Sequence, residues 1–388
     1  MNRRIFLATA AGGLAAAQQG VQQSELPEPI RKLRPMLDDV APISEGERAA
    51  RREKARRLMA EHKLDALYLE SGSSMYYFTG KRAAGQAVIL GAKSKFDAVW
   101  TTPDPAKAAQ TLREMSVATG KVGMEEQVRF ATFDGLRREL PAVECVSGTR
   151  VAAGCRMIKS AAEIALLQRA NDITIEAYKA ALATMREGMT QRDLGANISA
   201  AFGALGVGGA AMAIFGKYTA FPHGSIQPQQ LREGDMVLID DGCSVEGYQS
   251  DITRTTVFGK PTKRQREVWD WERKAQDAAL AAAKPGATCE SVDAAARKVI
   301  TDAGFGPGYK TPGLPHRTGH GIGLDGHEWT YLVKGNQTKM EPGMCFSDEP
   351  TIVIYGEFGV RLEDCLYITG DGARMFTKQS PAIDQPFG

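Results

Sequence analysis

Asp240, Asp251, His320, Glu349 and Glu363 are residues whose types, taken together, could hold a pair of divalent cations. Carboxylates that can each reach two ions, with one imidazole, are the donor set that gathers two small cations around a shared water. Four carboxylates and one histidine make an oxygen-rich shell, which favours Mn²⁺ or Co²⁺, admits Zn²⁺ and disfavours a thiolate-type structural zinc site. The chemistry such a pair supports is hydrolysis, because a water bridging two cations loses much of its proton affinity and becomes a hydroxide near neutral pH.

The segment carrying these residues reads as two diverged copies of one unit. Gly188, Thr190, Leu194 and Ala196 fall in register with Gly286, Thr288, Val292 and Ala294, and both stretches run on to a glycine, Gly206 and Gly304. His223-Gly224 answers to His320-Gly321, Gly234 leading to Asp240 answers to Gly343 leading to Glu349, and Gly247 leading to Asp251 answers to Gly359 leading to Glu363. Each copy therefore supplies two carboxylates and one histidine, and a pseudo-twofold arrangement would bring the carboxylates together at its centre. Most acidic side chains are solvated surface groups. Asp251, however, follows Gly247-Tyr-Gln-Ser in a β-branched run to Val257, and Val237-Leu238-Ile239 precedes Asp240, so both acids are expected on strands. A carboxylate buried there without a partner would be costly.

At these residues the chain resembles the pita-bread metallopeptidases, the family of aminopeptidase P, prolidase, methionine aminopeptidase and the metal-free creatinase. The matching stretches are Ile239-Asp240-Asp241-Gly242, Gly247 to Thr255, Thr318 to Leu324, Glu349-Pro350 and Val360 to Asp364. The resemblance is strong over about residues 155 to 375. It is weaker over residues 44 to 150, where Tyr76-Tyr77-Phe78-Thr79-Gly80 is similar to the amino-terminal domain of the creatinase and prolidase branch. It implies that Asp251 and Glu363 bridge two ions, that Asp240 binds one and His320 with Glu349 the other, and that Glu349 takes a proton from the attacking water. It also implies that His223 and His327 contact the substrate and steady the tetrahedral intermediate. An imidazole donor aimed at developing negative charge suits that task. Arg361, two residues before Glu363, is expected to hold a ligand carboxylate in place. His316 is either a substrate-cleft residue or an ordinary loop histidine, and His62 faces solvent.

The elements that must position these groups follow from pattern. Ser44 and Glu47 form a capping box opening a highly charged helix to about Lys63, with Leu58 and Met59 on a narrow buried stripe. Short strands at Ala66 to Leu69, Ala87 to Leu90 and Asp97 to Trp100 alternate with helices in an α/β pattern. Ser160 and Glu163 cap a long helix that begins the second domain, and a further long helix runs from Thr262 to the break at Lys284-Pro285-Gly286. The expected fold class is α/β, a creatinase-like domain over residues 44–152 followed by a duplicated α+β, pseudo-twofold pita-bread domain over residues 153–388. Residues 21–43, rich in Gln and Pro, read as an N-terminal arm.

Residues 1–20 carry paired arginines, Arg3-Arg4, before a short apolar run and a small-residue site at Ala15-Ala16-Ala17. This is a bacterial export signal most like the twin-arginine kind, and it predicts a periplasmic or secreted protein. The apolar run is too short for a spanning anchor, and no later stretch approaches twenty apolar residues, so no membrane span is expected in the mature chain. Net charge is +2 without a basic, aromatic-rich run, which gives no support to nucleic-acid binding. Six cysteines are scattered without a C-x-x-C pair. In an oxidising compartment some could pair, but their spacings reveal no pairing and the large core makes disulfides dispensable.

The resemblance implies hydrolysis of N-terminal Xaa-Pro bonds in short peptides by two divalent ions, Mn²⁺ first, in a homo-oligomer, dimer or tetramer. A prolidase or a broader aminopeptidase is the near alternative; a metal-free amidinohydrolase and a silent peptide-binding module are the remote ones. Two departures touch specificity: Trp329-Thr330 follows His327-Glu328 where relatives carry a proline, and Thr351 follows Glu349-Pro350 where relatives often carry glycine.

Overall fold

The computed structural model describes residues 26–82, 84–93 and 99–387. The export segment, residues 21–25 of the arm and residues 97–98 of the expected third strand lie outside the described residues. The rest of the arm is docked. A short helix α1 (Glu28–Arg31) packs on the first two helices of the second domain and buries Ile30 completely. Leu33, Met36, Leu37 and Val40 continue along the same core, which explains why a segment rich in polar residues stays in place.

Helix α2 (Glu45–Glu61) begins where the capping signal places it, with the Ser44 side chain accepting from Glu47 N. The return half of the box is absent, because the Glu47 carboxylate turns instead to Arg51 and Ser160. Its buried stripe is Arg51, Arg52, Ala55 and Met59, with Leu58 only partly covered. The arginines tolerate burial because their guanidiniums donate to the carbonyls of Tyr77 and Phe78. His62 is exposed at the helix end.

The first domain continues with β1 (Ala66–Glu70), α3 (Ser73–Thr79), β2 (Ala87–Gly91), β3 (Val99–Thr101), α4 (Pro105–Glu114), β4 (Gly120–Met124), α5 (Phe130–Glu139) and β5 (Val143–Ser147). The sheet order is β3-β2-β1-β4-β5, with β1 antiparallel to β2 and parallel to β4. Ala66 and Tyr68 face one apolar cluster with Leu112 and Leu136, while Leu67 and Leu69 face another with Phe78 and Val151. A sheet covered on both faces explains why β1 and β2 read as unbroken apolar runs. Helix α6 (Thr149–Met157) then runs across the division expected at residues 152/153, so the two domains share a continuous helix.

The second domain is built twice. The first copy is α7 (Ala161–Leu182), α8 (Gln191–Ala204), β6 (Gly209–Phe215), β7 (Met236–Val245), β8 (Tyr248–Gln249) and β9 (Ile252–Val257). The second is α9 (Lys263–Ala282), α10 (Cys289–Asp302), β10 (Gly319–Gly321), β11 (Glu328–Leu332), β12 (Cys345–Asp348), β13 (Thr351–Ile354), β14 (Phe358–Arg361), β15 (Asp364–Ile368) and β16 (Ala373–Met375). Helices α7 and α9 both open with complete capping boxes, Ser160 with Glu163 and Thr262 with Gln265. Gly188 N donates to Leu231 O at 2.8 Å and Gly286 N to Met340 O at 2.9 Å, the same tie in each copy. Gly234 and Gly343 take φ of 86° and 90°, a left-handed turn that glycine adopts without strain, and each leads six residues on to an acid. Strand β7 lies between β6 and β9, and β12 between β10 and β15.

Candidate metal centre

The duplication converges on the acids. Asp240 stands on β7, opposite Met212 and Thr253. Asp251 does not project from a strand as expected; it occupies the break between β8 and β9, and Glu363 occupies the matching position just before β15. Glu349 follows the end of β12, and His320 is the middle residue of β10. Placing Asp251 and Glu363 at strand entries frees their side chains from the alternation that would send one of each neighbouring pair into the core.

Among the described residues, three overlapping groups have donor atoms within 4.8 Å of one another: Asp240, Asp251 and Glu363; His320, Glu349 and Glu363; and Asp251, His320 and His327. His320 Nε2 is 3.2 Å from Glu349 Oε1, 3.6 Å from Asp251 Oδ2 and 3.9 Å from Glu363 Oε1. With His223, Asp241, His316, Arg317 and Arg361 these residues line a cavity of about 270 Å³. All the residues nominated from the sequence are therefore brought to one place.

The electrostatics of the acid cluster are unbalanced. Burial, then Asp240 and Glu349, raises the Asp251 carboxyl well above its usual range, and burial with Asp251, Glu349 and Asp240 does the same to Glu363. Burial lifts Glu349 to about 7, against the pull of Arg361. The buried Oε1 of Glu363 has no hydrogen-bond partner among the described residues. The Thr253 hydroxyl touches Asp240 Oδ1 at 2.5 Å and Glu363 Oε2 at 2.7 Å, and one hydroxyl proton can serve only one of them. Crowded, partly unsatisfied carboxylates beside an imidazole that burial and His327 hold at about 3, hence neutral, fit a cation pair in donor type and in charge.

The surrounding residues fix these groups. Arg361 donates to the Asp240 carboxylate, to Thr253 Oγ1 at 3.0 Å and to the Pro222 carbonyl at 3.1 Å, linking β14 to β7 and to the loop of His223. His316 Nδ1 donates to the Arg317 carbonyl at 2.6 Å, so Nε2 accepts from Thr351 Oγ1 at 3.1 Å. Burial, then Arg361, holds that ring at about 4. Thr351 and Trp329 are not themselves among the residues lining the cavity. Thr351 reaches it through His316, and Trp329 lines a smaller neighbouring cavity beside His327.

Three participants escaped the sequence reading. Arg317 NH2 donates to His327 Nδ1 at 2.7 Å. A guanidinium cannot accept, so Nδ1 is the acceptor and the ring proton is on Nε2. His327 lies stacked on His320 with centroids 3.8 Å apart, and burial and Arg317 lower its pKa, leaving a neutral ring whose free nitrogen is a donor. Thr253 bridges two acids, and Asp241, raised to about 6 by burial and Asp240, completes the cavity rim. Arg317 stands between His316 and the Thr318-Gly319-His320 motif, and that adjacency was the only available signal.

Metallopeptidase family M24 matches residues 165–370, and the creatinase/prolidase N-terminal domain matches residues 51–112. The chain belongs to metallopeptidase family M24. It is thus a hydrolase with the two-domain architecture of the prolidase branch. It is 30% identical to the Xaa-Pro dipeptidase of Pyrococcus furiosus over 347 residues, 84% of this chain and 97% of that one. It is 38% identical to the Xaa-Pro dipeptidase of Lactobacillus delbrueckii subsp. lactis over 235 residues, a stretch spanning 60% of this chain and 62% of the relative. The crystal structure of dipeptidase PepE from Mycobacterium ulcerans superposes with a TM-score of 0.78 at 30% identity, covering 87% of this chain and 97% of that chain.

Proposed function

We propose that this M24 enzyme hydrolyses the N-terminal Xaa-Pro bond of short peptides, with two divalent ions held by Asp240, Asp251, His320, Glu349 and Glu363. The observation that carries the reading is the meeting of four carboxylates and one neutral, buried histidine on a single cavity, where the buried Oε1 of Glu363 has no hydrogen-bond partner among the described residues. Mn²⁺ is the ion that the oxygen-rich set favours, with Co²⁺ or Zn²⁺ as alternatives. Bound there, two such ions supply charge that polarises a scissile carbonyl and acidifies water. Asp251 and Glu363, shared between the donor groups, would hold both ions, Asp240 would hold one, and His320 with Glu349 the other. Glu349, lifted by burial, is a carboxylate able to take a proton from the attacking water and return it to the departing nitrogen. His327, its Nε2–H directed by Arg317, and His223 at the rim donate to the oxyanion of the tetrahedral intermediate. Arg361 keeps Asp240 in place, and Thr351 keeps His316 turned toward the cavity.

The relatives named Xaa-Pro dipeptidase support a dipeptide substrate over a longer one. A bond before proline is a tertiary amide with no N–H, so selecting it requires an apolar pocket for the ring and no acceptor. Metal analysis together with rates on Ala-Pro, Ala-Pro-Ala and Ala-Ala-Ala under Mn²⁺ tests the reading. We expect Ala-Pro cleavage well above the others; dominant Ala-Pro-Ala cleavage assigns an aminopeptidase P, and equal Ala-Ala-Ala cleavage overturns proline selection. We infer further that the chain is exported through its twin-arginine-like signal, and that it works as a homo-oligomer, a state that light scattering measures.

A further inference from the structure

The residue after His327 is the centre of a buried ionic clamp that the reaction does not use directly. Glu328 opens β11 and is buried, yet it remains charged: burial raises its carboxyl, but Lys159 and Arg156 outweigh that and hold it at about 2. Lys159 Nζ donates to Glu328 Oε2 at 2.9 Å, and Arg156 donates to Oε1. The same Oε1 accepts Leu324 N at 2.8 Å and Asp325 N at 3.3 Å, which closes the loop from Gly323 to Glu328 on itself. A Cβ on Gly323 would meet the Glu328 carboxylate at 2.7 Å, so the loop has no room to shift toward it. The clamp extends into the first domain. Arg156 NH2 also donates to Asp325 Oδ2 at 2.6 Å, its NH1 donates to Ser74 Oγ at 3.2 Å, and Ser73 Oγ donates to Asp325 Oδ1 at 2.5 Å. Lys159 is anchored in turn by its main-chain N–H to Gly343 O at 2.8 Å, at the turn that leads to Glu349.

We propose that Glu328, gripped by Arg156 and Lys159, is a positioning residue that fixes the Gly323–Glu328 loop so that His327 lies flat on His320 and faces the cavity. The two cations come from α6 and from the residue before the α7 cap, so the segment joining the domains sets the geometry of a catalytic loop. The proposal rests on the role given to His327 above.

The test uses Glu328→Gln and, because that change leaves two buried cations facing a neutral group, also Lys159→Met, which leaves Glu328 paired with Arg156. Each is made alone and together with His327→Ala, and Lys159→Arg serves as the conservative rescue. Mn²⁺-loaded protein is assayed on Ala-Pro with bound metal measured, and the His327 ring signals, assigned by their loss in His327→Ala, are followed by NMR in metal-free protein. We expect Glu328→Gln to lower kcat by roughly 10²-fold with metal content and KM little changed, as for a misplaced catalytic group. Lys159→Met should lose less, Lys159→Arg should recover, and the His327 signals should move in both damaging variants. Added to His327→Ala, neither change should lower kcat further, whereas a loss through general destabilisation would persist there. Additive losses, or wild-type kcat with unmoved His327 signals, overturn the clamp. If His327→Ala alone leaves kcat unchanged, the reading of His327 fails instead, and the NMR shifts still decide whether the clamp positions it.

Discussion

Asp251, Glu349 and Glu363 crowd together at a cost that bound cations or their own protonation must offset. If Asp251 serves both cations, Asp251→Ala should remove at least one ion and nearly all turnover; full metal occupancy with normal rates would sink that assignment. Glu349→Gln keeps the volume and loses the proton acceptor, so kcat should fall by about 10²-fold to 10⁴-fold with part of the metal retained, and an unchanged kcat would move the base elsewhere. The same crowding predicts how the metal-free protein responds to pH. The folded pKa of Glu349, about 7, lies above its ordinary 4.5, so its favourable contribution is complete below 4.5 and is lost as pH rises through 7. Asp251 and Glu363 are raised in the same direction. Above the ordinary histidine value of 6.5 the lowered rings of His316, His320 and His327 no longer change charge on unfolding, so metal-free Tm should fall from pH 7 to pH 8 while added Mn²⁺ raises it most at pH 8, where the ligands have lost their protons. A metal-free Tm that climbs over this range would contradict the cluster's electrostatics. At this scale the sequence was informative about the acids and His320, because the repeat places them at matched offsets. It was silent about Arg317 and Thr253, whose importance comes from what folds against them.

Two strands, β9 and β15, each have an acid at their entry, and a buried ion pair holds them together. Arg254 on β9 donates to Asp364 Oδ1 on β15 at 2.6 Å and to the Glu363 carbonyl at 2.9 Å, and both side chains are essentially inaccessible, at 0% and 1% exposure. Arg254→Leu would leave the buried Asp364 carboxyl without its cation, with only Gln276 and Thr377, among the described residues, donating to it. It should destabilise the protein by about 3–5 kcal/mol in denaturant unfolding and loosen metal retention, whereas the double change Arg254→Leu with Asp364→Asn should recover much of the loss. A cost below about 1 kcal/mol would show that the pair is dispensable. Elements whose cause is local were legible: the boxes at Ser160 and Thr262 start α7 and α9 where expected, and the apolar runs of β1 and β2 form strands. Features with a distant cause were not. Glu47 abandons its own helix start for Ser160, more than a hundred residues away, and Asp251 lies just outside the strand with its carboxylate 3.6 Å from His320 of the other copy.

On the scale of the whole chain, duplication was readable because paired glycines mark paired turns, but the joint between the domains was not. The clamp of Arg156, Lys159 and Glu328, and the docking of Ile30 on α7 and α8, need contacts that no local pattern encodes. The thiols bear on the proposed export. All six cysteines are free, and five are buried, with burial raising their thiols above the ordinary range. A chain threaded unfolded into an oxidising space would expose all six to exchange before its core had closed. Folding first, with the metal acquired in a reducing compartment, would avoid that hazard, and a route that carries folded protein is the one that the proposed twin-arginine-like signal would call for. Replacing Arg3-Arg4 with Lys-Lys should therefore hold the enzyme in the cytoplasm, folded and active. A general secretory signal grafted in its place should deliver protein with non-native disulfides and low activity that a reductant restores. Undiminished export of the Lys-Lys variant would show that the folded-protein route is not the one this chain takes.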